Sequence, residues 1–144
     1  MLIGEYTHTI DEKNRVSLPV KFRQEMGKKI VITQGLDGCL FVFAPKDWKT
    51  FSDKLAETSL GQADTRNFNR YMLGSAVEAD VDSLGRILVP DFLKERADLK
   101  SKVVIIGVRS RAEIWNEKRW IECKQAVEKQ ADALAEKLGQ VGVL

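Results

Sequence analysis

The sequence predicts a mainly β fold with peripheral helices, of the α+β class, built from two copies of one module. The first observation is a repeat, in which residues 10–19 (IDEKNRVSLP) are echoed by residues 81–90 (VDSLGRILVP). The second is the alternation of apolar and polar residues just before each copy, which is typical of half-buried strands. A register that persists over about forty residues indicates duplication of a structural unit.

Each copy begins with a strand, a turn and a second strand. Apolar and polar side chains alternate along residues 6–10 and again along 77–81. The alternation resumes directly after Arg15 and after Arg86. Each repeated segment is therefore predicted to lie on a turn that joins two strands.

A short helix and a hairpin are predicted to follow in each copy. Pro19 and Pro90 are expected at the first helical position, where a missing N–H costs nothing, and the first helix should end near Gly27. Clusters of turn residues then separate pairs of apolar runs. The predicted hairpin strands are residues 30–34, 39–44, 103–108 and 112–115.

The modules are predicted to differ most in the helix that ends each of them. Pro45 opens a helix with Trp48, Phe51 and Leu55 on one face, whereas Asn116 caps a much longer amphipathic helix. The apolar stripe of the long helix is expected to be core or a subunit interface. Its members are Trp120, Val127, Ala131, Leu134 and Leu138.

These elements predict three segments. Residues 1–57 form an N-terminal module with its helix, residues 58–75 a linker and connecting helix, and residues 76–144 a C-terminal module with the long helix. In the connecting helix, Phe68 and Met72 are expected to face inward.

The turn chemistry predicts a rigid support for an arginine. Asp11 and Asp82 can accept backbone N–H groups, as in an Asx-turn. The residue before the arginine is Asn14 in one copy and Gly85 in the other, the types that best tolerate positive φ. An ordinary surface ion pair between the aspartate and the arginine, with no ligand, is the alternative for a single such turn.

Composition excludes several classes of function. The formal net charge is only +2, far below that of a histone-like polymer binder, so DNA affinity would need several copies acting together. His8 is the only histidine, and no phosphate-binding glycine motif occurs. An EF-hand-like run at 80–85 has Leu84 where an oxygen ligand is needed. We therefore predict no enzyme, metal, cofactor or small-molecule substrate.

Cellular location and thiol state are also predicted. No secretory leader or long apolar run is present, which favours a cytoplasmic protein without a membrane partner. Cys39 and Cys123 have no ligand spacing and are expected to be free, buried thiols.

The two turn segments, together with residues 71–76 (YMLGSA), closely resemble the MraZ family of bacterial transcriptional regulators. The resemblance implies two tandem SpoVT/AbrB-type swapped-hairpin modules joined into a pseudo-twofold double-split β-barrel. It also implies a ring-shaped homo-oligomer on the nucleoid. Such a ring would bind direct repeats of double-stranded DNA in the promoter of the division and cell-wall gene cluster, usually to repress it.

Carried onto this sequence, the family motif matches two aspartate–arginine pairs, all four residues being intact. Arg15 and Arg86 are the expected DNA contacts, because the guanidinium group can donate two hydrogen bonds to guanine or clamp a phosphate. Arg15 is expected to be the stronger contact, with support from Lys13 and Asn14. The remaining matched or turn-forming residues, Asp11, Asp82 and Gly85, are expected to shape the turns.

Two other uses of the same fold remain open at this stage. AbrB-type modules also form the DNA-binding part of antitoxins, whose extended tail wraps a toxin. A ring scaffold without any role in nucleic-acid binding is the second, with both arginine turns forming subunit salt bridges.

Overall fold

The computed structural model describes all residues from 1 to 144. In chain order the elements are β1 (Leu2–Thr9), β2 (Arg15–Ser17), α1 (Val20–Met26), β3 (Lys29–Gln34), β4 (Leu40–Phe43), α2 (Pro45–Ala56), α3 (Ala63–Gly74), β5 (Val77–Asp80), β6 (Arg86–Leu88), α4 (Asp91–Arg96), β7 (Lys102–Arg109), β8 (Ala112–Asn116) and α5 (Glu117–Gln140). The predicted α+β class is confirmed.

The strand order shows a pseudo-twofold relation between the modules. A six-stranded antiparallel sheet has the order β1-β7-β8-β4-β3-β5, and β2 pairs with β6 in a separate two-stranded sheet. Strands β1 to β4 of the first module correspond to β5 to β8 of the second. If each strand is replaced by its counterpart, the same strand order is obtained in reverse. The first strand of each module pairs with the third strand of the other, β1 with β7 and β5 with β3.

The two modules share one apolar core. Its fully buried side chains include Leu18 and Ile32 from the first module and Ile87 and Ile105 from the second. A smaller cluster lies beneath the longer helices and includes Phe43, Met72 and Trp115. The segment limits at residues 57 and 76 stay a prediction, since this core crosses them.

The prolines before the short helices occupy a position one residue before the first helical residue, not the first helical position that was predicted. Pro19 has φ −52° and ψ 142°, outside the helical region, and its carbonyl accepts the N–H groups of Phe22 and Arg23. Pro90 does the same for α4. Each proline is therefore the N-cap, and the expectation of a first helical position was wrong. Gly27 ends α1 with φ 81°, as predicted.

The helices match the sequence pattern in part. The Asn116 side chain caps α5 by accepting the N–H of Arg119 at 3.0 Å, as predicted. Met72 is fully buried, but Phe68 is 38% exposed, so its predicted inward orientation was wrong. Trp120 packs against the smaller apolar cluster, which confirms the core interpretation for the start of the α5 stripe. Val127 and Leu134 remain 49% and 38% exposed, so the rest of the stripe is not core within one chain.

Two smaller findings concern the thiols and membrane spans. Cys39 is buried just before β4, and burial raises the pKa of its thiol. Cys123 is only half-buried, contrary to the prediction, because α5 leaves the body of the protein there. None of the helices combines the length and apolar composition needed to span a bilayer.

Candidate nucleic-acid interface

The first turn is built around the Asp11 carboxylate. One oxygen, Oδ1, accepts the main-chain N–H groups of Lys13 at 2.9 Å and Arg15 at 2.8 Å. The other, Oδ2, accepts Nε–H of Arg15 at 2.8 Å. A single carboxylate therefore fixes both the turn and the direction of the guanidinium group.

The second turn repeats this arrangement with different residues between its ends. Oδ1 of Asp82 accepts the N–H groups of Leu84 at 2.9 Å and Arg86 at 2.8 Å, and Oδ2 accepts Nε–H of Arg86 at 2.8 Å. The duplication seen in the sequence thus extends to each hydrogen bond of the turn.

The residue before each arginine lies in the left-handed region, with φ 60° at Asn14 and φ 77° at Gly85. Each also links its turn to the opposite module. The Asn14 carbonyl accepts the N–H of Val89 at 2.8 Å, and the Gly85 carbonyl accepts the N–H of Leu18 at 2.9 Å. Both turns are therefore held from two sides.

These contacts hold the pKa of both aspartates below the ordinary carboxyl value. The main-chain N–H of Arg15 is the largest cause that lowers the pKa of Asp11, and the side-chain bond and charge of Arg15 add to it. The N–H and guanidinium of Arg86 lower the pKa of Asp82 in the same way. Each arginine therefore keeps a charged partner that orients it.

Pairing of β2 with β6 brings the two arginines onto one surface. Arg15 lies opposite Leu88, and Ser17 lies opposite Arg86. Because side chains alternate along a strand, these four share one face, whereas Val16 and its partner turn into the core. We call this outer surface, made of Arg15, Ser17, Arg86 and Leu88, the arginine face.

Both guanidinium groups remain available to a ligand. The side chains of Arg15 and Arg86 are 33% and 28% exposed. Each donates from Nε to its aspartate, and neither terminal Nη atom donates a hydrogen bond within the chain. The ion pair between aspartate and arginine, which was the alternative interpretation of the turn, does exist. It occupies only Nε, one of the three guanidinium nitrogens, and leaves both Nη atoms free.

Asn14 has a structural use besides its backbone conformation. Its Nδ2 donates to Asp91, and its Oδ1 accepts Nζ–H of Lys94 at 3.0 Å, both residues belonging to α4 of the second module. The amide is therefore partly occupied. The exposed ammonium group of neighbouring Lys13 makes no hydrogen bond within the chain.

Two cations, Arg23 and Lys94, lie beside the arginine face. Arg23 follows Pro19 by four residues, and Lys94 follows Pro90 by four, so the repeat could have paired them. Nε of Arg23 donates to the Leu18 carbonyl at 2.8 Å. Its side chain lies over Gly85 so closely that a Cβ there would come within 2.2 Å of the guanidinium carbon.

Leu88 is the other residue that sequence reasoning missed as a site residue. Its side chain is 55% exposed on the arginine face, although the residues on either side of it are buried. The alternation of side chains along β6 could have predicted this position, since Leu88 lies two residues after Arg86 and therefore on the same face of the strand.

Comparison with known proteins decides the family. A family model described as "MraZ protein, putative antitoxin-like" matches residues 1–71 and 72–140, one match for each module. The chain belongs to the MraZ family. The boundary between the two MraZ matches falls within α3.

Curated relatives of this chain carry the name Transcriptional regulator MraZ. The protein of Caldanaerobacter subterraneus subsp. tengcongensis is 44% identical over 99% of this chain and 100% of its own length. That of Moorella thermoacetica is 46% identical over 96% of each chain, and that of Clostridium acetobutylicum is 40% identical over 99% of this chain and its whole length. The expectation of a regulator that is not an enzyme is confirmed by this membership.

Proposed function

We propose that this protein is a sequence-specific DNA-binding transcriptional regulator that reads duplex DNA with the arginine face. The observation that carries the proposal is the presence of two outward guanidinium groups on one two-stranded ribbon, each oriented by its own aspartate. The regulatory sense that we propose from the family resemblance is repression of the division and cell-wall gene cluster. The chain would then work in the cytoplasm, on the nucleoid.

The dimensions of the ribbon suit the major groove of DNA. That groove admits a two-stranded β-ribbon, and the commonest specific contact there is arginine to the O6 and N7 atoms of guanine. Arg15 and Arg86 are offset by two residues along the ribbon, about 7 Å, or roughly two base-pair steps. With Nε held by an aspartate, each Nη edge can face the bases.

Cations near the ribbon can contact the backbone of the duplex. Lys13 lies at the tip of the first turn, and Arg23 and Lys94 lie beside the two turns. Such contacts position a protein on DNA without reading sequence. We assign Arg15 and Arg86 to the bases and these three residues to phosphates.

We further propose that several copies assemble into a ring and engage successive direct repeats. The net charge of +2 supports weak binding by one subunit, so affinity would come from linked sites. The exposed apolar stripe of α5 supplies a surface that a neighbouring copy can cover. In each copy, the two sheets would form the walls of the double-split barrel that the family resemblance implies.

The decisive experiment compares single arginine variants. A duplex is first enriched from a random 30-bp pool with the wild-type protein, and binding is then measured by fluorescence anisotropy. We expect Arg15→Ala and Arg86→Ala each to weaken binding by about 1–3 kcal/mol per engaged turn, with the larger loss for Arg15. Across a multi-site ring these losses compound to near-complete loss of specific binding.

The control is Arg70→Ala on α3, which removes the same charge from an exposed residue outside the arginine face. It should bind nearly as the wild type does. Unchanged affinity in both Arg15→Ala and Arg86→Ala would contradict the proposal. So would a selection that enriches no duplex.

An antitoxin-like role is the second candidate, since the family description includes those words. Against it, α5 is one continuous helix over Glu117–Gln140, whereas a segment that wraps a toxin is expected to be irregular before binding. A small partner protein that co-purifies at fixed stoichiometry would favour this candidate. A scaffold without nucleic-acid binding differs from both, because it would show no duplex affinity at any salt concentration.

A further inference from the structure

The arginine face is not symmetric, although the fold that produces it is. The residue opposite Arg15 is Leu88, and the residue opposite Arg86 is Ser17. These two partners occupy equivalent places in the two modules, 71 residues apart. The two arginines therefore have an identical geometry and different neighbours.

We propose that Leu88 is a specificity-determining residue, which contacts the C5-methyl group of a thymine next to the base contacted by Arg15. The inference rests on the proposed function, because it requires the arginine face to enter the major groove. The thymine methyl is an apolar group displayed there, and apolar side chains recognise it.

The position of Leu88 cannot be explained by the core. Its side chain is 55% exposed, whereas Ile87 and Val89 beside it are 1% and 0% exposed. The alternation of β6 therefore directs Leu88 outward, onto a face that otherwise carries charged and polar groups. An apolar side chain exposed beside both arginines becomes useful when a methyl group covers it.

The distance between the two side chains fits a pair of neighbouring bases. Residues directly opposite in an antiparallel pair have Cβ atoms about 4.5–5.5 Å apart, and successive base pairs are about 3.4 Å apart. Arg15 and Leu88 can therefore contact the same base pair or adjacent ones. The pair would favour a guanine with a thymine beside it.

Ser17, opposite Arg86, gives that end of the ribbon a different base preference from the Arg15 end. Its hydroxyl group makes no hydrogen bond with another residue of the chain, and serine can donate to or accept from any base edge. The Arg86 end of the ribbon would thus accept more than one neighbouring base. This difference gives the ribbon a direction on DNA, which direct repeats require and a symmetric ribbon would lack.

The test removes single methyl groups from the DNA. In the duplex enriched by the full-length protein, each thymine is replaced in turn by deoxyuridine, which lacks only the C5-methyl group. Binding is measured for the wild type, Leu88→Ser and Leu60→Ser. Leu60 is the matched control, an exposed leucine between α2 and α3 that lies outside the arginine face and both turns.

We expect one thymine in each bound repeat at which deoxyuridine weakens wild-type binding about 3- to 10-fold. The Leu88→Ser variant should bind the thymine and deoxyuridine duplexes with equal affinity at that position, and Leu60→Ser should retain the wild-type difference. If no thymine shows the effect, or if Leu88→Ser retains it, the role of Leu88 is overturned. The loss of binding in the arginine variants would still stand in that case, whereas a selection without any enriched duplex overturns both proposals.

Discussion

Each turn depends on one carboxylate, which positions one guanidinium group. Oδ1 of Asp11 holds the main chain, and Oδ2 holds Nε of Arg15, so the turn and the arginine are ordered together. Ordering a long side chain before binding reduces the entropy that the complex would otherwise lose. The aspartate is thus a positioning residue for the DNA contact that we propose.

At this scale the pKa of Asp11 gives a direct prediction. Arg15→Ala removes the side-chain bond and charge but keeps the main-chain N–H, the largest cause of the lowered pKa. We therefore expect the pKa of Asp11 to rise only part of the way to its ordinary value. An NMR titration of the carboxyl carbons measures this, and Asp82 is the internal control whose pKa should not change.

The sign of the pH effect follows from the direction of the shift. A carboxylate whose pKa is lowered by folding stabilises the native state above its unfolded pKa, and this contribution is lost as the pH falls through the folded pKa. The turns should therefore stay formed at neutral pH and weaken only in acid. A complete return of the Asp11 pKa to its ordinary value in Arg15→Ala would show that the backbone contact is unimportant.

The sequence predicted part of this residue-scale arrangement. Asp11 and Asn14 indicated an Asx-turn with a positive φ, because few residue types satisfy those local requirements. The partners of the Asn14 amide could not be predicted, since Asp91 and Lys94 belong to the other module. Local chemistry specifies a turn, whereas contacts across modules depend on the tertiary pairing.

At the scale of elements, the pairing of β2 with β6 creates the arginine face. Both strands were predicted, but each has three residues, too few to specify a partner or a register from sequence alone. The register follows from the six-stranded sheet and from the two carbonyl contacts of Asn14 and Gly85 with the opposite module.

Helix α3 is attached to β3 by a buried polar network. The Thr33 hydroxyl is fully buried, donates to the Met72 carbonyl at 2.6 Å and lies 2.9 Å from Oγ of Ser75. Tyr71 adds a hydrogen bond from its hydroxyl group to the Gly35 carbonyl. The motif at residues 71–76 thus joins the connecting helix to the sheet.

Thr33→Val tests this attachment. The substitution keeps the shape of the side chain and leaves the Met72 carbonyl without the Thr33 donor, so we expect the free energy of unfolding to fall by about 1–3 kcal/mol. Chemical denaturation measures it. Thr7→Val on the exposed side of β1 is the matched control and should change stability little, because Thr7 makes no side-chain hydrogen bond. Equal effects of the two substitutions would contradict a structural role for the network.

At the scale of the whole molecule, two modules exchange strands around one core, and α5 extends from it. Duplication was visible in the sequence because the repeat kept its register. The exchange of strands was expected only from the family resemblance, since either pairing buries the same strand faces. In the structure, β1 pairs with β7 and β5 pairs with β3. The part of the α5 stripe that includes Val127, Leu134 and Leu138 stays exposed in one chain.

The proposed ring gives a prediction for this stripe. Val127→Glu places a charge on a surface that assembly would bury, so we expect the oligomer to dissociate into smaller species and specific DNA binding to fall with it. Light scattering coupled to size exclusion measures the mass. Gln125→Glu adds the same charge to the opposite side of α5 and should leave the mass unchanged. An oligomer that survives Val127→Glu would locate the interface elsewhere.

The most direct measurement of the central claim removes a single acceptor from the DNA. Replacing one guanine of the selected duplex by 7-deazaguanine deletes the N7 atom that an arginine fork would contact. We predict about a tenfold loss of wild-type affinity at the guanines read by Arg15 and Arg86, and no further loss when the corresponding arginine is already alanine. If wild-type affinity is unchanged at every guanine, the arginine face does not read bases in the major groove.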